Sequence, residues 1–446
     1  MCGIAGILDT KTKQTVSHQL LRRMAGVMAH RGPDNEGIYV DQALGLAHRR
    51  LSIIDPTPAG NQPMVSDDGR LAVCFNGTIY NFPELKAQLQ ACGHGFVSKC
   101  DTEVLIHGWE QWGEGLVERL NGHFAFALWD SLTKKLYLVR DRFGTKPLYF
   151  ANLGGLIIFA SEIKAIMAHP LYSVELNHDA LYEYFTFQNV FRYHTIFDKV
   201  NLVPPATILI FDARSGKLSR RPYWDYDYCF SNPSMDEQEA VQEVERLLVQ
   251  AVRRQLLSDV EVGSYLSGGL DSGSIVSIAS KEMERMHTFT CGWHMGGVEG
   301  VEASYDERRE AEWLSYIFKT EHFEQVVGHN DVIWAMPKVV YHLEDLRLGM
   351  SYGHYYIARL ASKFVKVCLA GTGGDELFGG YPWRYYRMSN LSNRDQFIDE
   401  YYRYWQRLVP DDERLDLFTP EVKAKIGDTN MKRVLARVFT FHPGLK

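Results

Sequence analysis

Met1-Cys2-Gly3-Ile4-Ala5-Gly6 opens the chain. Removing Met1 leaves Cys2 with a free α-amine on the same residue as its thiol. Ordinary thiols titrate near ~8.5 and α-amines near ~7.7–8.0, so both groups sit close to neutrality. A nucleophile and its base then share one residue, an arrangement used by N-terminal nucleophiles. A cysteine after Met has no chemical meaning by itself, and the rest of the chain has to supply the context.

Residues 1 to about 210 read as short strands with helices between them. Strand-like runs cover 71–76, 123–130, 135–141 and 156–161, separated by turn residues such as Asp67-Asp68-Gly69 and Leu153-Gly154-Gly155. Helical patterns cover 82–93 and 102–113. This mixture predicts a layered α+β domain over 1–211. Asp, Gly, Pro and Ser collect after it, so 212–235 is read as a linker.

Residues 236–446 have a different pattern. A long amphipathic helix is predicted over 236–257, with Val241, Val244, Leu248, Ala251 and Val252 at helical spacing. Asp236, Glu237 and Glu239 at its start and Arg253 and Arg254 at its end complement the helix dipole. Four apolar runs follow, at 260–266, 288–293, 322–327 and 364–370, alternating with helical segments near 273–285, 306–318 and 351–363. That alternation predicts an α/β domain with a parallel sheet covered on both faces.

Ser267-Gly268-Gly269-Leu270-Asp271-Ser272 follows the first of these strands and opens a helix. Backbone N–H groups of such a turn, together with a helix N-terminus, form an anion site. No Gly-Lys-Ser/Thr is present, so this is not a Walker A loop. Asp271 beside phosphate-binding groups fits a Mg²⁺ bridge. A second run, Gly371-Thr372-Gly373-Gly374-Asp375-Glu376, follows the fourth strand. Ligands of open α/β sheets bind outside the carboxyl ends of strands, which brings both loops to one crevice. Asp375 either caps the helix after it or gives a second carboxylate to a metal shared with Asp271.

Composition narrows the class. The chain has 446 residues, about three domain-sized units by length alone. Apolar residues make up 46% and charged ones 23%, as in ordinary globular proteins. A net charge of −7 and the lack of a basic tract give no sign of nucleic-acid binding. No apolar run approaches the ~18 residues that span a membrane, and no secretory signal pattern opens the chain. Seven scattered cysteines without a C-x-x-C point to a reducing cytoplasm rather than a disulfide frame or a zinc site.

Taken together, the chain resembles the glutamine-dependent asparagine synthetases. Residues 2–6, His30-Arg31-Gly32-Pro33-Asp34, His48-Arg49-Arg50-Leu51-Ser52-Ile53, Asn76-Gly77-Thr78-Ile79-Tyr80-Asn81 and Asp101-Thr102-Glu103 resemble a class II glutamine amidotransferase domain of the N-terminal-nucleophile fold. Residues 236–446 resemble a PP-loop ATP pyrophosphatase domain. The resemblance implies that Cys2 attacks the glutamine amide while its α-amine shuttles the proton. It implies that the Asn76 side chain and Gly77 N–H stabilise the oxyanion. Arg50 would pair with the α-carboxylate beside Leu51, and Asp101 would take the α-ammonium. Ser267, Gly268, Gly269 and Ser272 would hold pyrophosphate, with Leu266 and Gly292 at the adenosine and Asp271 and Asp375 at Mg²⁺. Gly371, Thr372 and Gly373 would line the acceptor pocket.

The implied substrates are glutamine, ATP and a carboxylate such as aspartate, in a cytoplasmic enzyme compatible with a homodimer. A carboxylate is a poor acyl donor, so it is first adenylated; ammonia released at Cys2 then attacks the adenylate. Both ammonia and adenylate need an enclosed path, since closed sites prevent side reactions. Three departures from the family stand out. Thr78 replaces a Glu that helps bind the glutamine α-amine. Thr372 replaces an acidic residue beside the acceptor, which leaves open a different carboxylate. The chain ends at Pro443-Gly444-Leu445-Lys446, where the resemblance implies a further helical segment with a basic active-site residue. A regulatory pseudoenzyme is the remaining alternative, opposed by intact Cys2, Asn76, Asp271 and Asp375.

Overall fold

Every other residue of the first strand faces a different core, and this alternation builds the N-terminal half. The computed structural model describes residues 1–227, 235–296, 306–346, 349–389, 391, 393–426 and 429–439. Residues 228–234 of the stretch read as a linker, and Pro443–Lys446, lie outside the described residues. Backbone contacts divide the chain into two units, Met1–Cys229 with Ile398–Lys446, and Phe230–Phe397.

The first unit contains β1 (Gly3–Asp9), β2 (Asn35–Asp41), β3 (Leu44–Arg50), β4 (Met64–Val65), β5 (Leu71–Ile79), β6 (Gly122–Asp130), β7 (Lys135–Arg140), β8 (Tyr149–Asn152), β9 (Leu156–Ala160), β10 (Val200–Leu202), β11 (Thr207–Asp212) and β12 (Leu218–Pro222). Among the described residues these form two six-stranded sheets, ordered β10-β8-β9-β1-β3-β2 and β12-β11-β7-β6-β5-β4. The pairings within them are antiparallel. Strand β12 falls inside 212–235, so the sheet continues past the point where the sequence loses its strand pattern.

Ile4 and Leu8 of β1 join Ala72, Cys74, Ala127 and Trp129 of the facing sheet in the core between the sheets. Ala5 and Ile7 point the other way, onto Leu21, Met24 and Ala25 of the helix His18–Gly26. On the far side, Leu71, Val73 and Phe75 of β5 pack under Leu85 and Leu89 of the helix Phe82–Ala91 and Val104 and Trp109 of the helix Glu103–Trp112. The unit is a helix–sheet–sheet–helix stack, the N-terminal-nucleophile layering. Chain segments after Ile398 pack on it as well: Tyr402, Ile426 and Val434 share a core with Tyr182 and Phe187.

The second unit holds β13 (Val262–Tyr265), β14 (His287–Trp293), β15 (Glu321–Val327) and β16 (Val367–Leu369), in the order β15-β14-β13-β16 and all parallel. Helices Glu237–Gln255, Leu270–Glu282 and Arg308–Phe318 bury one set of contacts with Val262 and Leu369. Helices His329–Leu343 and Ser351–Ala361 bury another with Phe289 and Val327. Asp236 caps the first of these helices in a reciprocal pair with Glu239. Its predicted apolar face is only partly used. Val252 is buried and Leu248 packs beside it, whereas Val241 and Val244 are exposed. The cap and the helix's own hydrogen bonds sustain the first turns.

Strand order changes direction between β13 and β16, and the two glycine-rich loops leave these two strands. That is the switch point where α/β sheets open a crevice.

Gly6 of β1 has no room for a side chain. A Cβ there would sit 2.1 Å from Phe159 Cζ and 2.8 Å from the Gly45 carbonyl oxygen. Gly6→Ala is expected to destabilise the chain by roughly 1–3 kcal/mol through overpacking. Urea unfolding should show a lower midpoint at unchanged slope; an unaltered midpoint would refute the tight fit.

Candidate active site

Antiparallel pairing of β1 with β3 sets Gly3 opposite Arg49, so Cys2 emerges beside the end of β3. Its Sγ accepts from the Leu51 N–H at 3.4 Å and lies 3.7 Å from the Leu51 carbonyl. Leu51 is held in turn by the His30–Asp34 loop: Asp34 N–H donates to the Arg50 carbonyl, and Asp34 Oδ2 accepts from Ser52 N–H at 2.8 Å. Burial pushes the Cys2 thiol up, against the Leu51 hydrogen bond, which lowers it.

Strand β5 contributes Asn76, Gly77 and Thr78. Asn76 is 1% exposed, and neither its Nδ2 nor its Oδ1 has a hydrogen-bond partner among the described residues. Such an orphan side-chain amide is costly, about 1–3 kcal/mol per unmet group. Gly77 is required by the sheet itself: a Cβ would lie 2.2 Å from the His123 carbonyl oxygen on β6. Asp101 precedes the helix Glu103–Trp112 and accepts from Ile79 N–H at 2.9 Å through Oδ2. Burial raises its carboxyl to about 6. One pocket takes in Cys2, Arg50, Leu51, Asn76, Gly77 and Asp101. All six residues expected at the glutamine end are therefore together.

Arg50 is more tied down than its sequence role requires. Its guanidinium donates to the Thr57 carbonyl at 2.7 Å and Asn61 Oδ1 at 2.9 Å, and also to the Asp55 carbonyl. It clamps the 54–61 loop as well as lining the pocket.

The sequence assigned no role to Lys146, Arg31, Glu162 or His123. Lys146 lines the pocket, and burial, with Arg31 nearby, lowers its ammonium. A buried Asp141 places it by accepting from the N–H groups of Phe143, Thr145 and Lys146, around a Gly144 with φ of 66°. The Asp-x-x-Gly turn was visible in the sequence, but not its proximity to Cys2. Arg31 donates from Nε to the Cys2 carbonyl at 2.9 Å and from Nη1 to Glu162 at 3.1 Å. Burial would raise Glu162, but hydrogen bonds from His30 and Lys164 and the Arg31 charge hold it at about 2. Thr78 lines the pocket and faces His123 across the β5–β6 ladder; His123 Nδ1 lies 3.1 Å from Tyr80 Oη.

In the second unit the loop after β13 closes on itself. Ser267 N–H donates to Ser272 Oγ at 3.0 Å, Gly269 N–H to Ser267 Oγ at 3.1 Å, and Gly268 N–H to the Glu307 carboxylate at 3.2 Å. The helix Leu270–Glu282 has Gly269 as N-cap and no side-chain cap. The loop after β16 lies directly against it. A Cβ at Gly371 would be 2.8 Å from Ser272 N, and one at Gly374 would be 2.2 Å from Asp271 Oδ2. Asp375 is in the first turn of the helix Gly374–Phe378, whose N-cap is Gly373, so Asp375 does not cap it. Its carboxylate lies against Gly380. Thr372 is exposed in the connecting loop. Leu266 is buried and donates from N–H to the Phe289 carbonyl. Arg308 crosses over Gly292, where a Cβ would lie 2.2 Å from Arg308 Cδ.

A model of the glutamine amidotransferase domain matches residues 1–224, and one of asparagine synthase matches 243–438. A putative asparagine synthetase [glutamine-hydrolyzing] 2 of Methanocaldococcus jannaschii is 32% identical over 425 residues, 89% of this chain and 79% of that protein. The chain belongs to the glutamine-hydrolysing asparagine synthetase family. Asparagine synthetase [glutamine-hydrolyzing] 1 of Bacillus subtilis is 34% identical over 85% of this chain and 59% of its own length. The maize asparagine synthetase [glutamine-hydrolyzing] is 31% identical over 90% of this chain and 63% of its own. The chain thus spans about three fifths of the length of these two relatives. No helix among the described residues is long and apolar enough to cross a membrane.

Asp101 makes stability depend on pH in a defined direction. Its folded-state value of about 6 lies above the ordinary 3.8. Below both values the folded and unfolded states each hold the proton; between them only the folded state does. Stability therefore falls as pH rises from about 4 to about 6 and is level above, a change on the order of 3 kcal/mol. Asp101→Asn should lack this slope when urea unfolding is compared at pH 4, 5, 6 and 7. Identical slopes in the two proteins would reject the assignment.

Proposed function

We propose that the first unit hydrolyses glutamine and the second adenylates a carboxylate, the whole protein making an amide with ATP cleavage. Aspartate to asparagine is the default reaction, in the cytoplasm. The buried, unpartnered amide of Asn76 beside Cys2 carries this reading. A buried donor left without a partner suits an oxygen that becomes charged only during reaction.

Burial holds the Cys2 thiol protonated, so attack needs a base close by. After Met1 removal that base is the α-amine of Cys2. Burial, and the charges of Arg31 and Lys146, bring the Met1 amine down to about 5. The same surroundings would keep a Cys2 amine neutral and ready to accept the thiol proton. Sulfur then bonds to the glutamine side-chain carbon, and the carbonyl electrons move onto oxygen, facing Asn76 Nδ2 and Gly77 N–H. On collapse the C–N bond breaks, the amine returns its proton to nitrogen, and ammonia leaves. Water cleaves the thioester to glutamate. Arg50 and Leu51 would hold the α-carboxylate. With Thr78 in place of a carboxylate, Asp101 carries the charge opposite the α-ammonium.

In the second unit an acceptor carboxylate oxygen bonds to the α-phosphorus of ATP and pyrophosphate departs. Ammonia then displaces AMP from the acyl-adenylate. The Gly268 N–H already binds a carboxylate oxygen of Glu307, and the helix N-terminus beyond it has no side-chain cap, so both suit an anion. Ser267, Gly269 and Ser272 complete that cradle, with Leu266 and Gly292 toward the nucleoside. Asp271 lies against the Gly371–Gly374 turn. With Asp375 it would hold Mg²⁺, whose contribution is to neutralise charge on the departing pyrophosphate. Gly371, Thr372 and Gly373 would face the acceptor. A neutral Thr372 favours an acceptor without a free α-amine as the second reading.

Cys2→Ala should abolish glutamate release and leave ammonia-dependent amide synthesis; Asn76→Ala should lower glutaminase kcat on the order of 10²–10³-fold. Wild-type glutamate release by Cys2→Ala would sink the assignment. ATP–pyrophosphate exchange across a panel of carboxylic acids should respond to one of them, and amide synthesis with ammonia should yield AMP. ADP as product would reject adenylation, and exchange with an acid other than aspartate would select the second reading.

A further inference from the structure

Outside the pocket, two histidines meet one carboxylate. His107 and Glu110 stand one turn apart on the helix Glu103–Trp112, and His94 comes from the loop after the helix Phe82–Ala91. His107 Nδ1 is 3.0 Å and His94 Nδ1 is 3.4 Å from the same Glu110 Oε2. One ligand atom from each residue lies within 4.8 Å of the others.

The second nitrogen of each ring faces a different oxygen. His94 Nε2 is 3.1 Å from Gln111 Oε1, and His107 Nε2 is 3.6 Å from Glu103 Oε1. Glu103 is fixed there by the N–H groups of Val97 and Ser98, each at 2.8 Å. Amide and carboxylate oxygens only accept, so both nitrogens of each ring face acceptor oxygens. A neutral imidazole carries one hydrogen, so one nitrogen of each ring meets its oxygen with a bare lone pair. Both Nδ1 atoms converge on the one Glu110 oxygen, which leaves room there for a shared cation in place of hydrogens. Metal-bound histidines commonly place their other nitrogen against a carboxylate or amide oxygen in this way.

We propose that His94, His107 and Glu110 bind a divalent transition metal, zinc foremost, with water in the open fourth position. Tetrahedral zinc with bonds of about 2.0–2.2 Å sets its ligand atoms roughly 3.3–3.5 Å apart. The 3.0 and 3.4 Å separations need only a slight opening to meet that. Two imidazoles favour zinc, copper, nickel or cobalt over magnesium or calcium. The bound ion ties the His94 loop to the helix that starts directly after Asp101 and Thr102, so occupancy should raise the stability of this unit.

The test uses the full chain, stripped with a chelator and titrated with zinc chloride by calorimetry. One equivalent should bind. His94→Ala and Glu110→Gln should each weaken binding at least about tenfold, as even outer-shell losses do. Zinc should raise the Tm of the wild type and leave that of His94→Ala unmoved. Cobalt(II) should give d–d absorption without a thiolate charge-transfer band, also in Cys92→Ser. No saturable binding would overturn the proposal. So would unchanged affinity in both variants, or a thiolate band showing that cysteine is the ligand. Circular dichroism matching the wild type excludes misfolding as the cause of any loss.

Discussion

Strand β1 lies between β3 and β9 in its sheet, and its two faces enter two different cores. Ile4 and Leu8 enter the space between the sheets while Ala5 and Ile7 meet a helix. A one-residue slip would exchange these sets and bury the wrong side chains on both faces. The strand's register is therefore fixed from above and below, and so is the position of the residue just before it. Cys2 gains its placement from apolar packing several residues downstream. Gly6 shows how tight that packing is, since Phe159 and the Gly45 carbonyl fill the space where a side chain would stand.

Around Cys2 the fold holds groups in states that cost free energy. Asn76 is buried with both polar atoms unmet, Arg31 leaves Nη2 without a partner among the described residues, and Asp101 is a carboxylate raised to about 6. Ordinary cores avoid such arrangements, because an unmet buried polar group costs more than a paired one contributes. They can persist here because the flanking layers are dense and apolar. The same dryness that raises Asp101 and Cys2 also strengthens any charge interaction with a ligand that enters.

The second unit reaches its site by topology. Strand order β15-β14-β13-β16 places the chain's first and last parallel strands side by side, although about a hundred residues separate them in sequence. The two glycine-rich loops then touch because their strands are neighbours. Glycine is needed at Gly371 and Gly374 by that approach: Asp271 and Ser272 already occupy the volume a side chain would take.

Much of this was legible in the chain itself. Short strand-like runs bounded by turn residues marked 71–76, 123–130, 135–141 and 156–161, and each run overlaps an observed strand. Alternating β and α elements gave the parallel sheet, and short motifs named the residues that the pocket collects. Local chemistry fixes these, because strand alternation, caps and glycine turns are decided within a few residues. Other features depended on contacts distant in sequence. Exposure of Val241 and Val244 came from what the helix meets, which periodicity cannot report. Lys146 reached the Cys2 pocket, and His123 the pocket residue Thr78, only through a turn built on Asp141 and the pairing of β5 with β6. The meeting of His94 with His107 and Glu110 came from packing two helices together. Sequence sets what each segment can be; which side chains share a site is decided by pairing across the chain, where burial and register outweigh local preference.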